Sequence, residues 1–244
     1  MGQRATFEDK DTPCRILVVF PFEGISSEQI RAAGKGVIPD GLSAPEGRNE
    51  QRARAYYAGR AALKFAFEYL ERKLFVRPAE GFGYLEVLDS RSCLVHGIYA
   101  NVTHTESMAV AAVGDFPIGI DVERLDRPVG NVINRIASPE EVRQADQWKI
   151  ELDGKRVPSG IALWCAKEAY SKALGLGLGR TLDKVQLQFD RNTVSVVSTL
   201  IGPQTLDQPS IEFQLYQDYL IALCCDQKAF RGGFQRLLFG MEAF

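Results

Sequence analysis

The chain has 244 residues, with 29 Lys and Arg against 31 Asp and Glu, a net charge of −2, and hydrophobic residues at 45%. This balance gives no global attraction to nucleic acid or an anionic membrane, so any basic function has to be local. The length suits one large domain or two compact halves of about 120 residues.

The five cysteines, Cys14, Cys93, Cys165, Cys224 and Cys225, form no Cys-x-x-Cys. That argues against a disulfide framework or a thiolate zinc site and for a reducing cytosol. With only His96 and His104 as imidazoles, a metal site would be oxygen-ligated, which favours Mg²⁺ over Zn²⁺. The polar stretch Met1–Pro13 does not resemble a signal peptide, and no apolar run is long enough to span a bilayer. The expected compartment is the cytoplasm.

In chain order, Arg15–Phe22 reads as a buried strand stopped by Pro21, followed by a short helical piece at Ser27–Ala33 and a Gly/Pro-rich loop to Gly47. Arg48–Phe75 contains no breaker except Gly59 and reads as a long helix carrying Arg48, Arg52, Arg54 and Arg60. Arg77–Gly83 is a turn, Tyr84–Leu88 a strand and Asp89–Cys93 another turn. His96–Thr105 and Met108–Val113 then form two strands around a polar corner.

After a turn at Gly114–Pro117, Ile118, Ile120 and Val122 alternate with Gly119, Asp121 and Glu123, the period of a half-buried strand. Asp121 and Glu123 share a face of it, about 7 Å apart. Ser138-Pro139-Glu140-Glu141 is a helix start with serine cap, proline at the first position and glutamate three residues on. A loop at Asp153–Gly160 leads to a second long helix, Ile161–Leu174, with Trp164, Glu168 and Lys172 four residues apart on one face. A third carboxylate and an ammonium facing the strand pair would make a hard-cation site with a phosphate partner.

Gly175-Leu-Gly-Leu-Gly179 ends that helix. It is no dinucleotide fingerprint, because it follows a helix and lacks the third glycine at the required offset. Strands are expected at Val185–Phe189, Val194–Leu200, Ile211–Tyr216 and Tyr219–Cys225. The tail places Phe230, Phe234, Leu237 and Leu238 at helical spacing, to pack on the body. The order strand, long helix, later strands occurs twice, in 1–118 and 119–244. The expected fold is α+β, two similar lobes related by a pseudo-twofold with the active site in the cleft between them.

Three motifs together resemble the 4′-phosphopantetheinyl transferases of the long, two-lobed type that activates peptide and polyketide synthases and siderophore assembly lines. They are Asn101-Val-Thr-His-Thr105, Ile118-Gly-Ile-Asp-Val-Glu123 and Trp164-x-x-Lys-Glu-Ala-x-x-Lys172. The helix with Arg52 and Ala55-Tyr-Tyr-Ala-Gly-Arg60 resembles that type too. The resemblance implies transfer of phosphopantetheine from coenzyme A to a serine of an acyl or peptidyl carrier protein, with release of 3′,5′-ADP.

It further implies Mg²⁺ on Asp121, Glu123 and Glu168, and a phosphate contact from Lys172. Coenzyme A would be held by Arg52, Arg60, Thr103 and His104. Glu168 is the first candidate for the base that takes the serine's proton, with a metal-bound water as alternative. Two departures stand out. Asp89-Ser-Arg-Ser-Cys93 replaces a Gly-Lys-Pro common in the family, with Arg91 as the stand-in for its lysine. Thr103 and Thr105 stand where serines are frequent, keeping a hydroxyl.

Taken singly, each feature has a plainer reading: solvated carboxylates on a strand edge, a Glu168–Lys172 ion pair at i,i+4, a turn histidine, a basic helix face. Two rival functions remain, a non-catalytic coenzyme A-binding or regulatory module of the same fold and a metal-dependent phosphohydrolase. Carrier docking is expected on Arg124–Gly160, through Arg124, Arg127, Arg135, Lys149, Lys155 and Arg156 with Val132, Ile133 and Trp148 as exposed apolar partners. The protein is expected to be a monomer.

Overall fold

The first apolar run forms strand β1 (Ile16–Pro21). Ile16, Val18 and Phe20 enter a core beneath two helices, while Leu17 and Val19 enter another core against a second sheet. A strand covered on both faces reads as unbroken hydrophobicity rather than alternation. The computed structural model describes residues 15–39, 49–176, 182–190, 193–197, 202–230 and 234–238. Cys14, Arg48 and residues 177–179 of the Gly175–Gly179 run lie outside the described residues, as do 198–200 of the strand expected at Val194–Leu200.

Helix α1 (Ser27–Lys35) starts at a capping box of Ser26 and Gln29. Helix α2 (Glu50–Tyr69) starts at Asn49, whose side chain accepts from the backbone N–H groups of Gln51 and Arg52. It ends at Tyr69, six residues before the Phe75 expected. The chain turns through Glu71 at φ 54°, and Phe75 opens β2 (Phe75–Pro78), paired with β3 (Leu85–Leu88). No local breaker marks that stop; a strand partner elsewhere in the chain decides it.

β4 (Tyr99–His104) and β5 (Met108–Gly114) form the expected pair around the Thr105–Ser107 corner, and β6 (Gly119–Arg124) follows. The region after β6 holds a short helix, α3 (Gly130–Ile136), and then α4 (Pro139–Trp148) with the Ser138–Glu141 capping box in place. Part of the expected loop at Asp153–Gly160 is instead the turn and second strand of a hairpin, β7 (Glu151–Leu152) and β8 (Lys155–Arg156). Asp153 and Gly154 take the two left-handed turn positions, φ 49° and 73°, a role that Asp-Gly suits.

Helix α5 (Ser159–Ala173) is followed by β9 (Leu187–Asp190), β10 (Thr193–Val196), β11 (Pro209–Tyr216) and β12 (Tyr219–Asp226). The tail departs from its helical spacing. Only the four residues of α6 (Gln227–Phe230) are helical, and β13 (Gln235–Leu238) runs parallel to β1. Phe230 and Phe234 still pack on the body, as expected.

The fold is α+β with two main sheets, ordered β13-β1-β5-β4-β3-β2 and β6-β12-β11-β10-β9. α1 and α2 cover the outer face of the first, and α3, α4 and α5 that of the second. The inner faces meet through Leu17, Val19, Met108, Val110, Ile120, Val122, Ile221 and Leu223, all buried. Burying each such side chain contributes about 1.5–3 kcal/mol. This inner core fixes β6 against β4 and so sets where the candidate site forms.

Candidate active site

Gly119 lets β6 and α5 approach. A β-carbon there would stand 1.9 Å from the carbonyl oxygen of Ala169 and 2.4 Å from the nitrogen of Ala173, so a larger residue would force the helix off the strand. Because Ile118, Ile120 and Val122 point into the inner core, Asp121 and Glu123 point to the other face, toward α5. That face of α5 carries Trp164, Glu168 and Lys172.

Lys172 Nζ donates to Asp121 Oδ1 at 2.6 Å, to the carbonyl of Ile120 at 3.2 Å and to Thr103 Oγ1 at 3.3 Å. Thr103, buried on β4, donates to the same Asp121 oxygen at 3.1 Å. Three elements therefore converge on one carboxylate. The i,i+4 pair of the plainer reading is not made: the ammonium turns to Asp121, and Glu168 Oε2 is buried without a hydrogen-bond partner.

Burial pushes the Glu168 carboxyl up to about 7, with Lys172 and Arg127 pulling it down and Asp121 pushing it up further. Charge has to be expelled from a site that water does not reach unless a cation meets it. Burial also raises the Cys165 thiol, and the neighbouring Asp121 charge raises it further, so it stays protonated there.

Glu123 Oε1 accepts from the Trp164 indole N–H at 3.0 Å and pairs with Arg127. The Arg127 guanidinium lies 5.0 Å over the Trp164 ring. A cleft of about 630 Å³ opens beside these groups. It is lined by the first turns of α2 (Asn49, Arg52, Ala55), the β4–β5 corner (His104–Ser107), Glu123 at the end of β6, the loop after it (Arg127, Pro128) and Tyr219. Ser107 and Tyr219 close one rim with a hydroxyl–hydroxyl bond of 2.6 Å.

The other expected residues divide. Arg52 and His104 line the cleft. Burial, Lys172 and Arg60 hold the His104 imidazole below its usual range, so it is neutral at pH 7. Arg60 is buried at 6% exposure, its guanidinium 4.5 Å over the Tyr56 ring and its Nε without a partner. Arg91 does not line the cleft; it is exposed and pairs with Asp89 in its own turn at 3.4 Å. Arg54 is structural, donating to the carbonyls of Phe22 and Ile25.

Among the described residues, no group of three His, Cys, Asp or Glu side chains is arranged to hold a metal. Asp121 Oδ2 and Glu168 Oε2, however, are both buried without a partner. Leaving such an oxygen unmet costs about 1–3 kcal/mol or more. The donor set fits a hard cation that takes few protein ligands and completes its shell with phosphate and water.

Sequence reasoning missed three contributors. Arg127 lies beyond the strand, and nothing in the pattern ties it to Glu123. Cys165 reads as a helix core residue. Lys167 is fully buried, its ammonium held by Glu141 and by the carbonyls of Ile136, Leu182 and Val185, pinning α5 to its surroundings.

Residues 117–224 match the family model described as ACPS, 4′-phosphopantetheinyl transferase superfamily. Two of the three sequence motifs fall inside that span, so the resemblance they carry is to this superfamily. The chain is similar to 4′-phosphopantetheinyl transferase gsp of Aneurinibacillus migulanus, 28% identical over 133 residues, 52% of this chain and 51% of that one. It is 30% identical over 112 residues to 4′-phosphopantetheinyl transferase pptA of Paxillus involutus, covering 39% of this chain and 43% of that one. The chain spans about half the length of the curated relatives it matches. Among solved structures, holo-[acyl-carrier-protein] synthase from Neisseria meningitidis aligns with a TM-score of 0.33 at 23% identity, covering 44% of this chain and 94% of that one.

Proposed function

We propose that this protein transfers the 4′-phosphopantetheine group of coenzyme A to a serine of an acyl or peptidyl carrier protein, releasing 3′,5′-ADP. The observation that carries the reading is the meeting of the buried Asp121 and Glu168 with the half-buried Lys172 next to the cleft, with two carboxylate oxygens unmatched. The two halves, 1–118 and 119–244, are read as paired lobes with the active site in the cleft between them. In support, α2 and β4 contribute one wall and β6 with its loop the other. β13 is then a strand lent by the second half to the first.

Asp121 and Glu168, with Glu123 beside them, would hold Mg²⁺. Bound there, it supplies positive charge against the pyrophosphate oxygens. Lys172 orients Asp121 and keeps an ammonium at the phosphate side of the site. Arg52 and His104 in the cleft, and Arg60 behind them, are the donors for the coenzyme's phosphates. His104, neutral, donates one N–H without adding charge. Glu168 is the candidate acceptor of the serine proton, although a carboxylate that also ligates the cation is a weakened base. With the nucleophile on the carrier, no enzyme-bound intermediate is required.

Carrier docking is assigned to the face around α3, α4 and the β7–β8 hairpin. Its apolar members differ from those expected: Ile133 is buried at 4% exposure, and Trp148 packs on Phe189 and Phe213. Arg124 pairs with Asp126, Arg127 with Glu123 and Lys155 with Asp218. Arg135, Lys149 and Arg156 are exposed and have no ion-pair partner among the described residues. A cytoplasmic monomer remains the working picture; no described helix is long and apolar enough to cross a membrane.

The test is mass spectrometry of a panel of apo carrier proteins incubated with the protein, coenzyme A and Mg²⁺. Each modified carrier should gain one phosphopantetheine. Coenzyme A cleaved with no carrier present would favour the phosphohydrolase, and binding without any cleavage the regulatory module.

A further inference from the structure

Each of two carboxylates on β6 already has its own cation. Lys172 serves Asp121 from the helix, and Arg127 serves Glu123 from the loop that follows the strand. The second arrangement is the more accessible: the Arg127 side chain is 40% exposed, against 12% for Lys172. Arg127 lies outside any helix or strand, its backbone held by a single turn bond to the carbonyl of Arg124. Its side chain is therefore tethered to the site by two contacts, the Glu123 carboxylate and the Trp164 ring.

Trp164 and Arg127 also meet at one oxygen. Glu123 Oε1 receives the indole N–H of Trp164 and the guanidinium of Arg127 together. A divalent cation bound to that oxygen at coordination distance would face a guanidinium only a few ångströms away. Two positive groups at such separation repel, to an extent that the partial exposure of Arg127 moderates.

We propose that Arg127 is a resident counter-cation, a latch that a divalent metal ion must displace from Glu123 before the carboxylate can ligate. The inference rests on the metal assignment made above. Displacement moves the guanidinium off the Trp164 face and leaves it in the cleft, where it already forms part of the wall. The latch keeps the metal-free protein from burying an unpaired Glu123, at the expense of metal affinity. Trp164, bonded to the oxygen that changes partner, reports the exchange.

The experiment is a Mg²⁺ titration of the full chain without coenzyme A or carrier, read by calorimetry and by Trp164 emission. Trp164 is isolated by Trp148→Phe, or, if that variant does not fold, by subtracting the signal of Trp164→Phe from wild type. Arg127→Gln should bind Mg²⁺ about three- to five-fold more tightly than wild type, since a partly exposed pair is worth about 1 kcal/mol at most. Wild-type emission should change along the calorimetric isotherm, and Arg127→Gln should show a smaller change.

Equal affinity in the two proteins, absence of Mg²⁺ binding in both, or Trp164 emission that ignores the metal would overturn the latch. Carrier modification by wild type is measured in parallel. If it proceeds while Arg127→Gln leaves Mg²⁺ affinity unchanged, the latch is wrong and the transferase reading stands. If wild type neither modifies a carrier nor binds the metal, both are wrong.

Discussion

Lys172 Nζ lies 2.6 Å from Asp121 Oδ1 and 3.2 Å from the carbonyl oxygen of Ile120, so a single ammonium caps both a side chain and the open edge of β6. The pair is nearly sealed, with side-chain exposures of 12% and 6%. Removing one member of such a pair strands the other charge and costs about 3–5 kcal/mol. Asp121→Ala should therefore lower stability by about 3 kcal/mol in urea unfolding, and by at least about 1 kcal/mol less in a Lys172→Met background. Additive costs would show that the two side chains do not interact. The single variant should stay folded at 25 °C and modify no carrier; normal turnover by it would remove Asp121 from the site.

Glu168 gives the metal-free protein a pH signature. Its carboxyl titrates at about 7 in the folded chain against 4.5 for an ordinary glutamate, so the folded state binds the extra proton between those values. The stabilisation is complete below pH 4.5 and is lost as pH rises through 7, about 3 kcal/mol in all. Glu168→Gln removes that dependence. Relative to wild type it should gain up to about 3 kcal/mol between pH 5 and pH 8 in denaturant unfolding with chelator present. A wild-type-minus-variant difference flat in pH would refute the buried, protonated carboxyl.

Arg60 is a buried guanidinium whose Nε has no partner. A buried cation of this kind is suited to an anionic ligand, and the free 3′-phosphate of coenzyme A provides one. Arg60→Ala should weaken coenzyme A binding about tenfold and dephospho-coenzyme A binding much less, by calorimetry. Equal losses for both ligands would take Arg60 away from the 3′-phosphate.

The docking face can be tested at cations that support nothing else. Lys155 ties the β7–β8 hairpin to Asp218 and the carbonyl of Gln217, so reversing its charge would confuse docking with folding. Arg135 and Arg156 are exposed without such ties. The double variant Arg135→Glu, Arg156→Glu should raise KM for the carrier about three- to tenfold at low salt, less at high salt, with KM for coenzyme A unchanged. An unchanged carrier KM would move docking to the other half of the cleft.

Much of this protein was legible from order alone. The alternation of Ile118–Glu123 put Ile118, Ile120 and Val122 on one face and Asp121 and Glu123 on the other. The spacing of Trp164, Glu168 and Lys172 set one helix face, and the Ser138–Glu141 box marked the start of α4. These are local rules, decided by side-chain period and by backbone groups within a few residues. The misses share the opposite character. α2 stops at Tyr69 because Phe75–Pro78 finds a partner in β3, and Gln235–Leu238 becomes a strand because β1 offers it an edge.

The same holds at the site. The sequence by itself determined that Asp121 and Glu123 share one face of β6 and that Trp164, Glu168 and Lys172 share one face of α5. Only the tertiary structure decided that Lys172 serves Asp121 rather than Glu168, that Arg127 takes Glu123, and that Arg91 stays with Asp89. Pattern fixes the direction of a side chain. Which opposite charge it meets depends on how closely two elements approach, and here Gly119 sets that distance by letting α5 lie directly on β6.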